Sequence, residues 1–155
     1  MRLSKNFVLS EITRSNTATR LGISNEPSKK HLANMQVLIT ELIQPMRDAL
    51  GPIRISSGYR SPQLNRAIGG SAKSQHCKGQ ALDLQFWKNG EMCNQEIYNW
   101  VINSGLKFDQ MINEFDFAWI HISLKGKDNR SQILEAYKDK DGDTAYKIAD
   151  IVTSL

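Results

Sequence analysis

The sequence predicts an α+β domain with a small, mostly antiparallel sheet and packed helices. Three observations carry that expectation. Leu32, Met35, Leu38, Ile39, Leu42, Ile43 and Met46 recur at three- and four-residue steps, the apolar stripe of one long helix. The runs QALDLQF (80–86) and AWIHISL (118–124) alternate apolar and polar side chains, the period of a half-buried strand. FDQMINEF (108–115) lies close enough to the second run to pair with it as a hairpin.

The elements follow in order. Residues 1–26 read as an N-terminal arm in which LSEIT offers one helical turn. Pro27 suits the first position of the long helix, and Pro45 predicts a kink or an end late in it. GPIRIS (51–56) starts with turn residues and runs into a short strand. SPQLNRAIGG reads as a short helix capped by Ser61, with Pro62 first inside and Gly69-Gly70 as the stop. Asn94 to Ser104 form a second amphipathic helix, with Ile97, Trp100 and Val101 inward and Gly105 ending it. Residues 138–155 read as a C-terminal tail. Within it DKDGD (139–143) has the acidic spacing of a calcium loop, and Asp150 stands at the twelfth position. Thr144 occupies the place where such a loop needs glycine, so the run is read as a solvated acidic turn.

A chain of 155 residues suits one domain with a sizeable core. Its 40% hydrophobic and 23% charged content is that of a globular protein. No apolar run has the length of about 18 residues that spans a bilayer, so no stable membrane insertion is expected. The first residues carry no signal-peptide pattern, which predicts cytoplasmic synthesis. The net charge of +4 favours anionic partners. The charge is spread along the chain, however, and the aromatics are not interleaved with basic residues. Nucleic acid is therefore not an expected partner. Cys77 and Cys93 are too few for a disulfide scaffold and are read as reduced, partly buried thiols.

The acid in QALDLQF points to chemistry. Alternation turns Leu82, Leu84 and Phe86 to the core and Asp83 to the opposite face. The same rule puts Trp119, His121 and Ser123 on one face of the later strand, so one sheet can present Asp83 and His121 side by side. His76 lies just before the first strand, in a glycine-containing loop able to fold over it. Two imidazoles and one carboxylate are a three-ligand zinc set with a fourth position for water, the pattern of a catalytic site. The His-Asp spacing taken alone is also common in proteins that bind no metal. His31, the third histidine, falls on the polar side of the long helix and reads as a solvated surface residue.

SGYRS (57–61), SQHCKGQALDL (74–84) and EFDFAWIHIS (114–123) together resemble the M15 family of zinc peptidases. The pattern Ser-x-His-x-x-Gly-x-Ala-x-Asp is complete from Ser74 to Asp83, and Trp-x-His is complete at Trp119 and His121. LSKNFVLSE, ATRLGI, QPMRD and ISSGYRSPQLNRAIGGS extend the likeness to short phage and prophage members, through about residue 137. The resemblance implies a fold like that of the D-Ala-D-Ala peptidases and hedgehog domains. It also implies one zinc ion per chain on His76, Asp83 and His121. Arg60 is implied to hold a substrate carboxylate or carbonyl and the developing oxyanion. Ser74 and Trp119 are implied beside the substrate. The implied activity is hydrolysis of peptide bonds next to D-amino acids in bacterial peptidoglycan, as carboxypeptidase or endopeptidase, by a monomer acting on the wall after release or as part of a virion. Many members place an acidic base three residues before the last histidine ligand, where this chain has Ala118. Glu114 matches the phage-type pattern for that role, with Asp116 as the alternative. The missing acid keeps a rival open, a non-catalytic zinc module of the same fold. A zinc amidase of the cell wall is a second rival.

Overall fold

The computed structural model describes residues 1–149, so Asp150 and the rest of the C-terminus lie outside it. Helices α1 (Leu9–Thr13) and α2 (Asn16–Leu21) build the N-terminal arm. The long helix begins at α3 (Lys29–Leu38), passes through a π-helical turn (Ile39–Ile43) and continues as α4 (Gln44–Leu50). Its cap is Ser28, whose side chain accepts the His31 N–H, so Pro27 stands outside the helix rather than at its first position. Pro45 neither ends nor breaks it. The residue four places earlier, Glu41, sits in the π turn, whose wider winding leaves room for the proline ring. Met35, Leu38, Ile39, Leu42, Ile43 and Met46 are all fully buried, so the predicted stripe is the helix's core face.

The sheet has the order β1 (Ile53–Ser57), β2 (Ala81–Lys88), β5 (Trp119–Ser123), β4 (Gln110–Glu114), β6 (Gln132–Lys138), β7 (Thr144–Ile148). The two-residue strand β3 (Glu91–Met92) folds back on β2. All pairings are antiparallel except β4 with β6. The fold is thus α+β with a mixed, mostly antiparallel sheet. One face carries Leu82, Leu84, Phe86, Ile120, Ile122 and Met111 into a single core with the long helix and α6 (Asn94–Ser104). In α6, Ile97 and Val101 are buried while Trp100 is only half-buried against that core. The other face is open. Helix α5 (Pro62–Ala67) and a short 3-10 turn (Gln75–Lys78) flank it.

The segment expected as a tail from residue 138 instead turns and returns as β7. The acidic run makes the hairpin turn: Asp139 Oδ1 accepts the N–H groups of Asp141 and Asp143. Strand β7 is mostly exposed, so it carries no burial alternation that a sequence pattern would show.

Candidate metal centre and cleft

Strand register brings the predicted ligands together. Asp83 pairs directly with His121 across β2 and β5, which places both side chains on the open face. His76 arrives from the 3-10 turn. Ser74 caps that turn by accepting the His76 N–H. Gly79 closes it at φ +71°, and a Cβ there would overlap the His31 carbonyl and crowd the Met35 side chain. Glycine is thus required twice, by the left-handed backbone and by close approach to α3. His31 is accordingly not the solvated residue expected: it is half-buried, with Nδ1 3.4 Å from the Tyr59 hydroxyl.

Ligand atoms of His76, Asp83 and His121 all lie within 4.8 Å of one another. Asp83 Oδ1 is 3.3 Å from His76 Nε2 and 3.1 Å from His121 Nδ1. Donors set about 2.0–2.1 Å from a tetrahedral ion stand roughly 3.3 Å apart, so both separations from Asp83 match a zinc set. The His76 Nδ1–H donates to the Gly58 carbonyl at 2.8 Å, which leaves the Nε2 lone pair directed at the cluster. Burial pushes the Asp83 carboxyl upward, but the His121 and His76 rings, when protonated, outweigh it and hold the group well below the usual carboxylate range; a metal ion would take the place of those protons. The donors therefore fit zinc in number and chemistry, and the His76 tautomer suits it.

The centre lies in a cleft of about 740 Å³ whose wall includes Arg60, Ser74, Glu114 and Trp119. Glu114 is 8% exposed and faces the open side, paired with Trp119 on β5 and Ala136 on β6. Burial raises its carboxyl; His121 opposes the shift and Asp83 adds to it. Asp116 is elsewhere. It is exposed in the β4–β5 turn and lines a separate pocket with Cys93 and Phe117. That turn carries three consecutive left-handed residues, Phe115, Asp116 and Phe117, at φ of 51°, 57° and 62°. The buried Asn94 holds it by donating to the Phe117 and Ala118 carbonyls.

Arg60 makes no ion pair among the described residues. Its Nη1–H donates to Asn65 Oδ1 at 3.1 Å, and its Nε is buried without a partner. Asn65, which is 2% exposed, also donates to the Ser71 carbonyl. Asn25 ties the arm to the same region, donating to the Thr13 and Tyr59 carbonyls and accepting the Ser61 N–H.

A family model described as Peptidase M15 matches residues 5–123. The chain belongs to the M15 peptidase family. M15 enzymes are zinc-dependent hydrolases, and the His76, Asp83 and His121 cluster is compatible with that. The match ends at the last residue of β5, so the β6–β7 hairpin lies beyond it. Two residues of that hairpin, Thr144 and Tyr146, nevertheless line the M15 cleft. A comparison with curated proteins found no match.

Several cleft supports escaped the sequence reading. Asp109 is fully buried and receives Arg130 through two parallel bonds, 3.1 Å from Nε and 2.8 Å from Nη2, with Gln75 donating at 3.1 Å. Gln75 adjoins His76, so this network braces the metal loop against β4. The only sequence signal was an acid at a strand start, which is common. Tyr146 lies across Ala136 from Glu114, a relation set by strand register alone. Cys77 and Cys93 are both free and half-buried, as expected.

Proposed function

We propose that this M15 protein hydrolyses a peptide bond next to a D-amino acid in bacterial peptidoglycan. The observation that carries the reading is one cleft holding the His76, Asp83 and His121 cluster together with Glu114 and Arg60. Zinc, when bound, supplies a Lewis acid that polarises a carbonyl and lowers the pKa of water. His76, Asp83 and His121 would hold it. Glu114 takes a proton from the attacking water and returns it to the leaving amine. Its partial burial, away from bulk water, suits a base that must hold the proton between those two steps. Arg60 presents a fixed guanidinium fork to a substrate carboxylate or to the developing oxyanion. Ser74 and Trp119 flank the peptide, Ser74 also setting the backbone of His76.

The absence of an acid at Ala118 favoured a non-catalytic zinc module. Glu114 in the cleft wall argues against it, because it supplies a carboxylate on the metal's side of the sheet. Mass spectrometry of products from purified peptidoglycan tests the reading. New free termini at one stem-peptide bond are expected. Release of the whole stem from the glycan would instead indicate an amidase, and an unaltered wall in the presence of zinc would overturn hydrolysis.

A further inference from the structure

A second cavity, of about 480 Å³, adjoins the cleft; Arg60 and Ile68 line both. Its walls come from the end of α1, the start of α2 and the edge strand β1. Gly58 is where these walls meet: a Cβ there would overlap the Ile12 carbonyl, and the Tyr59 N–H donates to that same oxygen at 2.8 Å. At that junction the wall is packed backbone. Its charge is one-sided. Arg14, Arg54 and Arg60 line it against a single acid, Glu11. None of the three arginines forms an ion pair among the described residues. Arg54 pairs with Gln85 of β2 and so shares the open face with Asp83.

Unpaired guanidiniums around a concavity repel one another and favour an anion that bridges them. The adjoining cleft already assigns the reacting part of the ligand to Arg60. We propose that the Arg14 and Arg54 cavity binds a second carboxylate of the same peptide, remote from the bond being cut. This rests on the proposed peptidase reading. The peptide then runs from the metal centre past Arg60 into the second cavity. A contact that acts equally on ground and transition states changes KM and leaves kcat, and that is the effect expected of this cavity.

The test uses the zinc-loaded full chain and a stem pentapeptide in three forms: unmodified, amidated at the D-glutamyl α-carboxylate, and amidated at the C-terminus. The wild-type protein should show a KM about five- to tenfold higher for one amidated form, the scale of two partly exposed charge contacts. The double variant Arg14→Gln/Arg54→Gln should treat that form and the unmodified peptide alike. A wild-type protein indifferent to both amidations, or a double variant that keeps the full preference, would overturn the proposal. If the wild-type protein cleaves no form, the peptidase reading fails and calorimetric binding of the three peptides decides the cavity separately. Carboxylate-selective binding lost in the double variant supports it. Equal binding of all forms overturns it.

Discussion

Gly58 and His76 are joined by the hydrogen bond that sets the His76 tautomer in the candidate metal centre. The His76 ring donates from Nδ1 to the Gly58 carbonyl at 2.8 Å, and only Nε2 is left to coordinate. Gly58 can stand there because it has no Cβ, which would strike the Ile12 backbone of α1. A residue just past the end of the edge strand thus fixes the proton on a candidate ligand 18 positions later in the chain.

Gly58→Ala should therefore weaken zinc binding without touching a ligand. The clash is with backbone, so the end of β1 must shift and take the carbonyl with it. A loss of about 10- to 100-fold in zinc affinity is expected, the scale of an outer-shell defect. Competition with a chromophoric chelator measures it. His121→Ala in the same assay should abolish stoichiometric binding; zinc retained by a folded His121→Ala protein would refute the ligand set.

Glu114→Gln keeps volume and removes the basicity. It should retain zinc and fold, and lose about 10²-fold or more in kcat. Asp116→Asn should change kcat little, because Asp116 lines a different pocket. The reverse ranking in steady-state kinetics would transfer the proton to Asp116.

The sequence made most of the site legible because its ligands sit on strands whose period is visible. Asp83 and His121 could be assigned to one face by alternation, and the structure pairs them in direct register. His76 could be placed only by its nearness to the start of β2, since a loop residue has no period to read. The choice between Glu114 and Asp116 was not legible. It depends on a turn of three left-handed residues that sends one acid into the cleft and the other to solvent. The β6–β7 hairpin was missed for a related reason. Its exposed strand is held by ladder hydrogen bonds to β6, which any sequence can make, rather than by a buried apolar face.

Arg60→Ala separates two roles of the guanidinium. If Arg60 acts on the transition state, kcat falls with zinc still bound. If it grips the peptide equally throughout, KM rises and kcat holds. Asn65→Ala should produce the same pattern more weakly, since the Asn65 side chain hydrogen-bonds the guanidinium and the Ser71 carbonyl. Unaltered kinetics in Arg60→Ala would remove the residue from the reaction.

Asp109 sets an acid limit on stability. Burial pushes its carboxyl up, but the hydrogen bonds and charge of Arg130, with help from Gln75, bring it down to about 2. The unfolded chain would titrate this group near the ordinary value of about 3.9. A depressed folded pKa means that the unfolded state binds the proton more tightly. The contribution is therefore fully present above about pH 5 and is lost as pH falls towards the folded value. Arg130 and Lys125 are partly exposed, so solvent screening reduces the effect to roughly 1–2 kcal/mol. Urea unfolding of the metal-free protein at pH 7 and pH 3 measures it, the absence of zinc keeping ligand protonation from adding metal release. Between these two values the wild-type protein should lose more stability than Asp109→Asn, by about 1 kcal/mol, because the folded group is still mostly ionised at pH 3. An equal loss in both would mean that the Asp109–Arg130 pair does not link folding to protons.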